Sequence, residues 1–321
     1  SYQDEDRLGP LARRKLYPSR SRLSDNEMSR ESDSMRFVGY VKSGGRDPQD
    51  RMMGVVIGDM VAPLAAIEAF YDDLSGWRQR ASRLTKGEMP LADLRLAPPV
   101  PRDAKVVCAA INYVKHGAEA KLPTPTFPNL FARWASELVV DGAHIPVPVA
   151  EPDGLDWEVE LAAIVGATAI DADPKAAAAS IFGYTVANDV SGRAAQLQST
   201  TLSTGQWALG KNVDKSCPIG SFIVTADAIS VANLKLETIV DGQVMQSGTT
   251  AEMVFSVPEL ITFASRHVTL RPGDVILTGT PDGVGIGRNP RVYMKPGASL
   301  TTRIEGLGSI TNKIVDSTHR K

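Results

Sequence analysis

The sequence predicts a mainly β, α+β protein, on three observations. Short apolar runs of strand length recur beyond Pro101, Gly, Pro, Asp and Asn punctuate them, and helix-length periodic stretches are few. With 321 residues, 43% hydrophobic and 22% charged, the chain has ample core material and the length of about two domains.

Residues 1–34 mix Arg7, Arg13, Arg14, Lys15, Arg20, Arg22 and Arg30 with Asp4, Glu5, Asp6, Asp25, Glu27, Glu31 and Asp33, almost without apolar periodicity, which predicts a flexible charged extension. A small α/β domain is expected over 35–98. Strands are predicted at Arg36–Lys42 and Met53–Ile57, with turns at Gly44-Gly45 and Gly58-Asp59. Leu64, Ile67, Phe70, Tyr71, Leu74 and Leu84 then fall at near-helical spacing, interrupted at Ser75-Gly76, so one or two short helices follow. Ala97-Pro98-Pro99-Val100-Pro101 reads as an extended linker, because proline ends helices and biases its predecessor to extended geometry. The domain boundary is placed there, leaving 99–321 as the second domain. Its predicted strands are Val106–Ile111, Leu161–Val165, Gly183–Ala187, Ser221–Thr225, Leu236–Val240, Val275–Thr278 and Leu300–Ile304. Its clearest helices, Pro174–Ser180 and Pro258–Ser265, each open on a proline at a first-turn position.

Thirty-five Lys and Arg nearly balance 37 Asp and Glu, a formal net charge of -2, so no electrostatic footprint for nucleic acid or an anionic membrane is present. No apolar run reaches the roughly 18 residues of a spanning helix, and the N-terminus lacks a secretory apolar core; a cytoplasmic location, cytosol or organelle matrix, is expected. Cys108 and Cys217 stand alone, which argues against a disulfide framework or a thiolate zinc site.

Four segments could carry chemistry. Asp156-Trp157-Glu158-Val159-Glu160-Leu161 alternates, so a strand would send Glu158 and Glu160 to one face, although a solvent-facing strand gives the same pattern. Asp189 closes the β-rich run Gly183–Asp189; converging on the pair, it would complete an all-oxygen site suited to Mg²⁺ or Mn²⁺. His116 and Glu119, spaced i and i+3, would meet on a helix or turn, and a carboxylate that orients an imidazole makes a general base. Residues 277–287 are Gly-rich enough to admit close backbone approach, but without GK[ST] or a following helix they are not a phosphate loop.

Taken in order, Asn112-Tyr113-x-x-His116-x-x-Glu119, Asp156–Leu161, Gly183–Ser191, Gly210-Lys211, Cys217-Pro218-Ile219-Gly220, Pro272–Ile276 and Thr278-Gly279-Thr280-Pro281 resemble the fumarylacetoacetate hydrolase family over about residues 104–315. The resemblance implies a catalytic domain of rolled mixed β-sheets behind a small variable N-terminal domain, a homodimer, and one Mg²⁺ or Mn²⁺ held by Glu158, Glu160 and Asp189. It also implies a His116-Glu119 dyad, a catalytic Lys211, and substrate contacts from Arg193, Gln196, Gln246 and Thr280.

Three departures stand out. Arg133 replaces the family's usual Lys in Phe-x-Lys, changing a point ammonium to a planar fork that could also contact substrate. Ser191-Gly192-Arg193-Ala194-Ala195-Gln196 lacks the acid that usually follows the Arg, and Pro296-Gly297-Ala298 replaces Pro-Gly-Asp. The implied activity is metal-dependent hydrolysis of a carbon–carbon bond in a β-diketo acid, an acylpyruvate or 2,4-diketo acid, with the expelled enolate held by the metal. An oxaloacetate-type decarboxylase or a hydroxymuconate-type isomerase is the alternative on the same scaffold, and an inactive keto-acid-binding protein is a further one.

Overall fold

The structure, a computed structural model, describes residues 35–47, 49–201 and 205–320. The charged extension predicted over 1–34 lies outside them. In chain order the strands are β1 (Arg36–Val41), β2 (Arg51–Ile57), β3 (Met60–Ala66), β4 (Met89–Pro90), β5 (Lys105–Ala110), β6 (Asn129–Trp134), β7 (Leu138–Val139), β8 (His144–Pro146), β9 (Val159–Val165), β10 (Ile181–Asn188), β11 (Cys217–Pro218), β12 (Phe222–Thr225), β13 (Lys235–Val240), β14 (Gln243–Thr249), β15 (Val275–Leu277), β16 (Ser299–Ile304) and β17 (Gly308–Val315). The helices are α1 (Ile67–Asp72), α2 (Leu74–Ala81), α3 (Val114–Glu119), α4 (Pro174–Ala179), α5 (Arg193–Leu197), α6 (Trp207–Gly210) and α7 (Val257–Ser265). The fold is thus mainly β, with mixed sheets and short helices.

A ten-stranded sheet runs β4-β3-β2-β1-β12-β10-β9-β15-β5-β6, and a five-stranded sheet runs β14-β13-β16-β17-β8. The first strands are not a separate sheet. β1 pairs antiparallel with β12 (Phe37↔Ile223), and the core around Phe37, Phe70 and Phe182 draws on β1, α1 and β10 together. The proline-rich stretch leaves this sheet alongside β1, where the Ala97 N–H donates to Gly39 O at 2.9 Å.

β9 and β10 form the centre because VELAAIV and IFGYTVAN are apolar on both faces, and β9 is buried along its whole length. Their antiparallel register, Ala187↔Glu160 and Asn188↔Val159, sets Asp189 beside Glu158, whose carbonyl accepts from the Asp189 N–H at 2.8 Å. β15 is antiparallel to β9 and parallel to β5. The chain therefore leaves β5, β10 and β15 at the same end of the sheet at which it enters β9, so four loops converge there.

Two local expectations differ from the structure. Residues 64–66 continue β3 rather than starting a helix; Pro63 is tolerated because short β4 pairs only with Met60 and Val61, so no ladder bond is lost at Pro63 on that side. The helical break falls at Asp73, not at Ser75-Gly76, because the Asp73 carboxylate accepts from the Gly76 N–H at 3.1 Å and caps α2.

Candidate active site

The convergent end of the sheet gathers acids from two of its central strands. Glu158 immediately precedes β9, Glu160 is its second residue and Asp189 follows β10; all three are buried, with ligand oxygens lying within 4.8 Å of one another. Glu158 and Glu160 are themselves buried, at 6% and 1% exposure, as are Trp157, Val159 and Leu161 on the opposite face, so the alternation is not that of a solvent-facing strand.

Each acid has different company. Glu158 accepts from Arg193 Nη2 at 2.5 Å and from Lys211 Nζ at 2.9 Å. Asp189 accepts from Lys211 Nζ at 2.6 Å on one oxygen and from Arg133 Nη1 on the other. Glu160 takes a hydrogen bond from the Gly279 N–H at 2.8 Å and has no cation in contact among the described residues. Burial alone would raise Glu158, but Lys211, Arg193 and His116 outweigh it and hold the carboxyl at about 2. Glu160 is pushed well above the usual carboxylate range by burial first, then by the charges of Asp189 and Glu158.

Counting Asp156, buried carboxylates in this cluster outnumber the buried cations Arg133, Arg193 and Lys211 by one. The acid left without a cation partner is Glu160, which favours its protonated form until a cation replaces that proton. An all-oxygen donor set with excess negative charge fits a hard divalent cation, Mg²⁺ or Mn²⁺, held by Glu158, Glu160 and Asp189.

The dyad lies on α3. His116 Nδ1 is 3.2 Å from Glu119 Oε2, and the other carboxylate oxygen of Glu119 accepts from the Gly283 N–H at 3.0 Å. Asn112 fixes the entry to this helix: its Nδ2 donates to the carbonyls of Phe255 and Thr278 at 2.9 and 2.8 Å, and its Oδ1 accepts from the Phe255 N–H. Gly279 is required at its turn, at φ +85°, where a Cβ would lie 2.9 Å from both Ala109 O and Asn112 Cβ.

The residues that the resemblance assigns to substrate are placed differently from one another. Arg133 is wholly buried behind Asp189, donating also to Val190 O and Ser216 Oγ. Gln246 is saturated: its Oε1 accepts from the Val159 N–H and Thr238 Oγ1, and its Nε2 donates to Thr280 Oγ1 and Pro281 O. It ties β9 to the 280 loop, and Thr280 is its partner. Gln196 accepts from Arg193 Nη1 at 2.5 Å. Lys211 uses two of its three N–H donors on Glu158 and Asp189, which leaves one for a ligand.

Two buried acids join the site without having been singled out in the sequence. Asp156 accepts from Arg193 Nε at 2.8 Å and from the N–H groups of Trp157, Gly285 and Ile286. Glu151 accepts from the N–H groups of Ala194 and Ala195 at 2.7 and 2.9 Å, capping α5 where the family's usual acid is missing. Asp156 sat in full view within the alternating motif, whereas nothing local marks Glu151. Beyond Arg193 opens a cleft of about 550 Å³, lined among others by Glu151, Asp153, Arg291, Tyr293 and Lys295.

Comparison with known proteins adds to this geometry. The profile of the fumarylacetoacetate (FAA) hydrolase C-terminal family matches residues 105–315. A mitochondrial oxaloacetate tautomerase of Bos taurus is 43% identical over 228 residues, 71% of each chain. The crystal structure of a 5-carboxymethyl-2-hydroxymuconate delta-isomerase from Mycobacterium smegmatis superposes with TM-score 0.68 at 30% identity, covering 88% of this chain and 99% of that one. A maleylpyruvate hydrolase from a Sphingobium species, in complex with manganese(II) and pyruvate, superposes with TM-score 0.69 at 27% identity and the same coverage.

Proposed function

Since the chain belongs to the fumarylacetoacetate hydrolase family, we propose that it interconverts the keto and enol forms of a small 2-keto diacid of the oxaloacetate type. The observation that carries this is the His116-Glu119 pair set beside three buried carboxylates. The likeness to the tautomerase over 71% of both chains supports the choice of reaction.

A bound Mg²⁺ or Mn²⁺ would supply Lewis-acid polarisation of the 2-keto group. Glu119 engages Nδ1 of His116 and leaves Nε2 as the nitrogen for proton transfer. The C3–H bond breaks, its proton passes to Nε2, its electron pair becomes the C2–C3 double bond, and the carbonyl pair moves onto the 2-oxygen. The remaining Lys211 N–H donor would be the one to stabilise that growing charge. The proton on Nε2 then protonates the 2-oxygen, so the enol forms with no water consumed; the reverse sequence ketonises it. The cleft beyond Arg193 carries Arg291 and Lys295 together with Glu151 and Asp153, and its two cations are the groups there that could pair with a distal carboxylate.

Hydrolysis of an acylpyruvate or 2,4-diketo acid is the second reading, favoured by the likeness to maleylpyruvate hydrolase; there His116 would deprotonate an attacking water. Oxaloacetate decarboxylation and hydroxymuconate-type isomerisation need the same carboxylates. A homodimer belongs to this proposal, with exposed Trp134 on edge strand β6 and exposed Leu209 on α6 as its apolar face.

The test follows the ultraviolet absorbance of enol-oxaloacetate with Mg²⁺, with EDTA and with His116→Ala. Metal-dependent ketonisation that falls at least about 100-fold in the variant is the expected result. Ketonisation at the uncatalysed rate, alongside stoichiometric pyruvate from an acylpyruvate, overturns the tautomerase in favour of the hydrolase.

A further inference from the structure

We infer that Asp156 is a positioning residue that draws the charge of Arg193 away from Glu158 and so sets how readily the three-carboxylate site takes a divalent cation. The inference rests on the metal reading above and adds a control that lies outside the three ligands.

Asp156 is fully buried, yet its carboxylate points at no open position. Each oxygen accepts two donors: Oδ1 from the N–H groups of Trp157 at 2.8 Å and Gly285 at 2.6 Å, Oδ2 from Ile286 N–H at 3.0 Å and Arg193 Nε at 2.8 Å. Arg193 Nη2 lies 2.7 Å from the same Oδ2 and 2.5 Å from Glu158 Oε1. One guanidinium is thus divided between two carboxylates. Only one of them belongs to the three that can ligate a metal.

The division matters because a guanidinium and a divalent cation compete for the same Glu158 charge and lone pairs. While Asp156 holds the Nε edge of the fork, Arg193 is anchored from behind. With Asp156 neutral, the whole guanidinium charge falls on Glu158, and in a buried site such a pair is little screened. The backbone of α5 is fixed separately by Glu151, so Arg193 cannot relieve the imbalance by moving its helix. Asp156 also holds the Gly285-Ile286 segment, two residues from the Gly283 N–H that orients Glu119. A purely structural role for Asp156 would act through that loop rather than through Arg193.

Mn²⁺ binding read by electron paramagnetic resonance separates the two, because it needs no turnover. Asp156→Asn is expected to weaken Mn²⁺ binding about tenfold, and Arg193→Gln to tighten it, since Glu158 is released. In the Arg193→Gln background, Asp156→Asn should change the dissociation constant less than about twofold. Asp156→Glu, which keeps the charge, should stay within about threefold of the parent and covers the case in which the Asn variant fails to fold. Equal weakening by Asp156→Asn in both backgrounds, or weaker binding in Arg193→Gln alone, overturns the inference while leaving the metal reading intact. A parent protein that binds no Mn²⁺ overturns both.

Discussion

Glu158 and Glu160 are two residues apart and buried together, yet their protons behave oppositely. Glu158, held at about 2 against an ordinary 4.5, lends stability above pH 4.5 that is lost as the pH falls toward 2. Glu160 has the opposite sign: its raised value favours the folded state at low pH, and that contribution is lost as the pH rises through the raised value. Glu160→Gln, which keeps an acceptor for the Gly279 N–H, should therefore raise the melting temperature of the metal-free protein at pH 8 by about 2–4 °C while abolishing Mn²⁺ binding; calorimetry showing a lower melting temperature would contradict this. Mn²⁺ affinity of the unmodified protein should also climb with pH, because binding expels the Glu160 proton, and calorimetry in two buffers of different ionisation enthalpy measures that release. At this scale the sequence was informative about which carboxylates cluster. Period-two alternation marks Glu158 and Glu160, and a strand-end acid marks Asp189. It was silent about Glu151, whose role exists only because a distant loop lies over the start of α5.

At the scale of elements, residues 278–287 do more than turn the chain. Their N–H groups reach Glu160, Glu119 and Asp156, so one loop orients an acid of the triad, the dyad and the Arg193 anchor. At Gly287 a Cβ would lie 2.4 Å from the Glu119 carboxyl carbon. Gly287→Ala should accordingly push Glu119 off His116 and lower kcat about tenfold or more, while thermal denaturation shifts little because a side-chain tip can yield. Asn112→Ala attacks the same assembly through its hinge: with its buried partners left unpaired, it should cost about 3 kcal/mol of stability by urea denaturation. The glycine richness of this loop was visible in the sequence. What the backbone amides bind was not, since the acceptors lie more than 100 residues away in the chain. Local patterns also misplaced the start of α1, because the apolar spacing of residues 64–74 suits either a half-buried strand or a helix, and pairing with β2 settles residues 64–66 as strand.

For the molecule as a whole, the decisive contacts are those that bind the first 60 described residues to the strands carrying the acidic cluster. Phe37 of β1 and Phe70 of α1 pack on Phe182 of β10 with ring centroids 5.2 and 5.9 Å apart. β10 in turn delivers Asp189. Phe182→Ala should cost roughly 3–5 kcal/mol and lower the stability of both segments together. A single calorimetric transition that shifts down intact is the expected outcome; two separating transitions would show that 35–98 melts independently. The strand-rich class and the order of motifs could be read from short-range patterns. The β1–β12 pairing could not, because its partners are nearly 190 residues apart and no short-range signal reports such a register.

That pairing has a consequence for how such chains can vary. The matched family segment begins at residue 105, but among the described residues one side of β12 is paired only by β1. A protein reduced to that segment would present a bare row of strand N–H and C=O groups, a template for pairing with other chains. Whatever sequence precedes the segment must therefore cap this edge, by a strand, a covering loop or charged side chains. Its composition can drift widely, but its protective job against aggregation cannot be dropped.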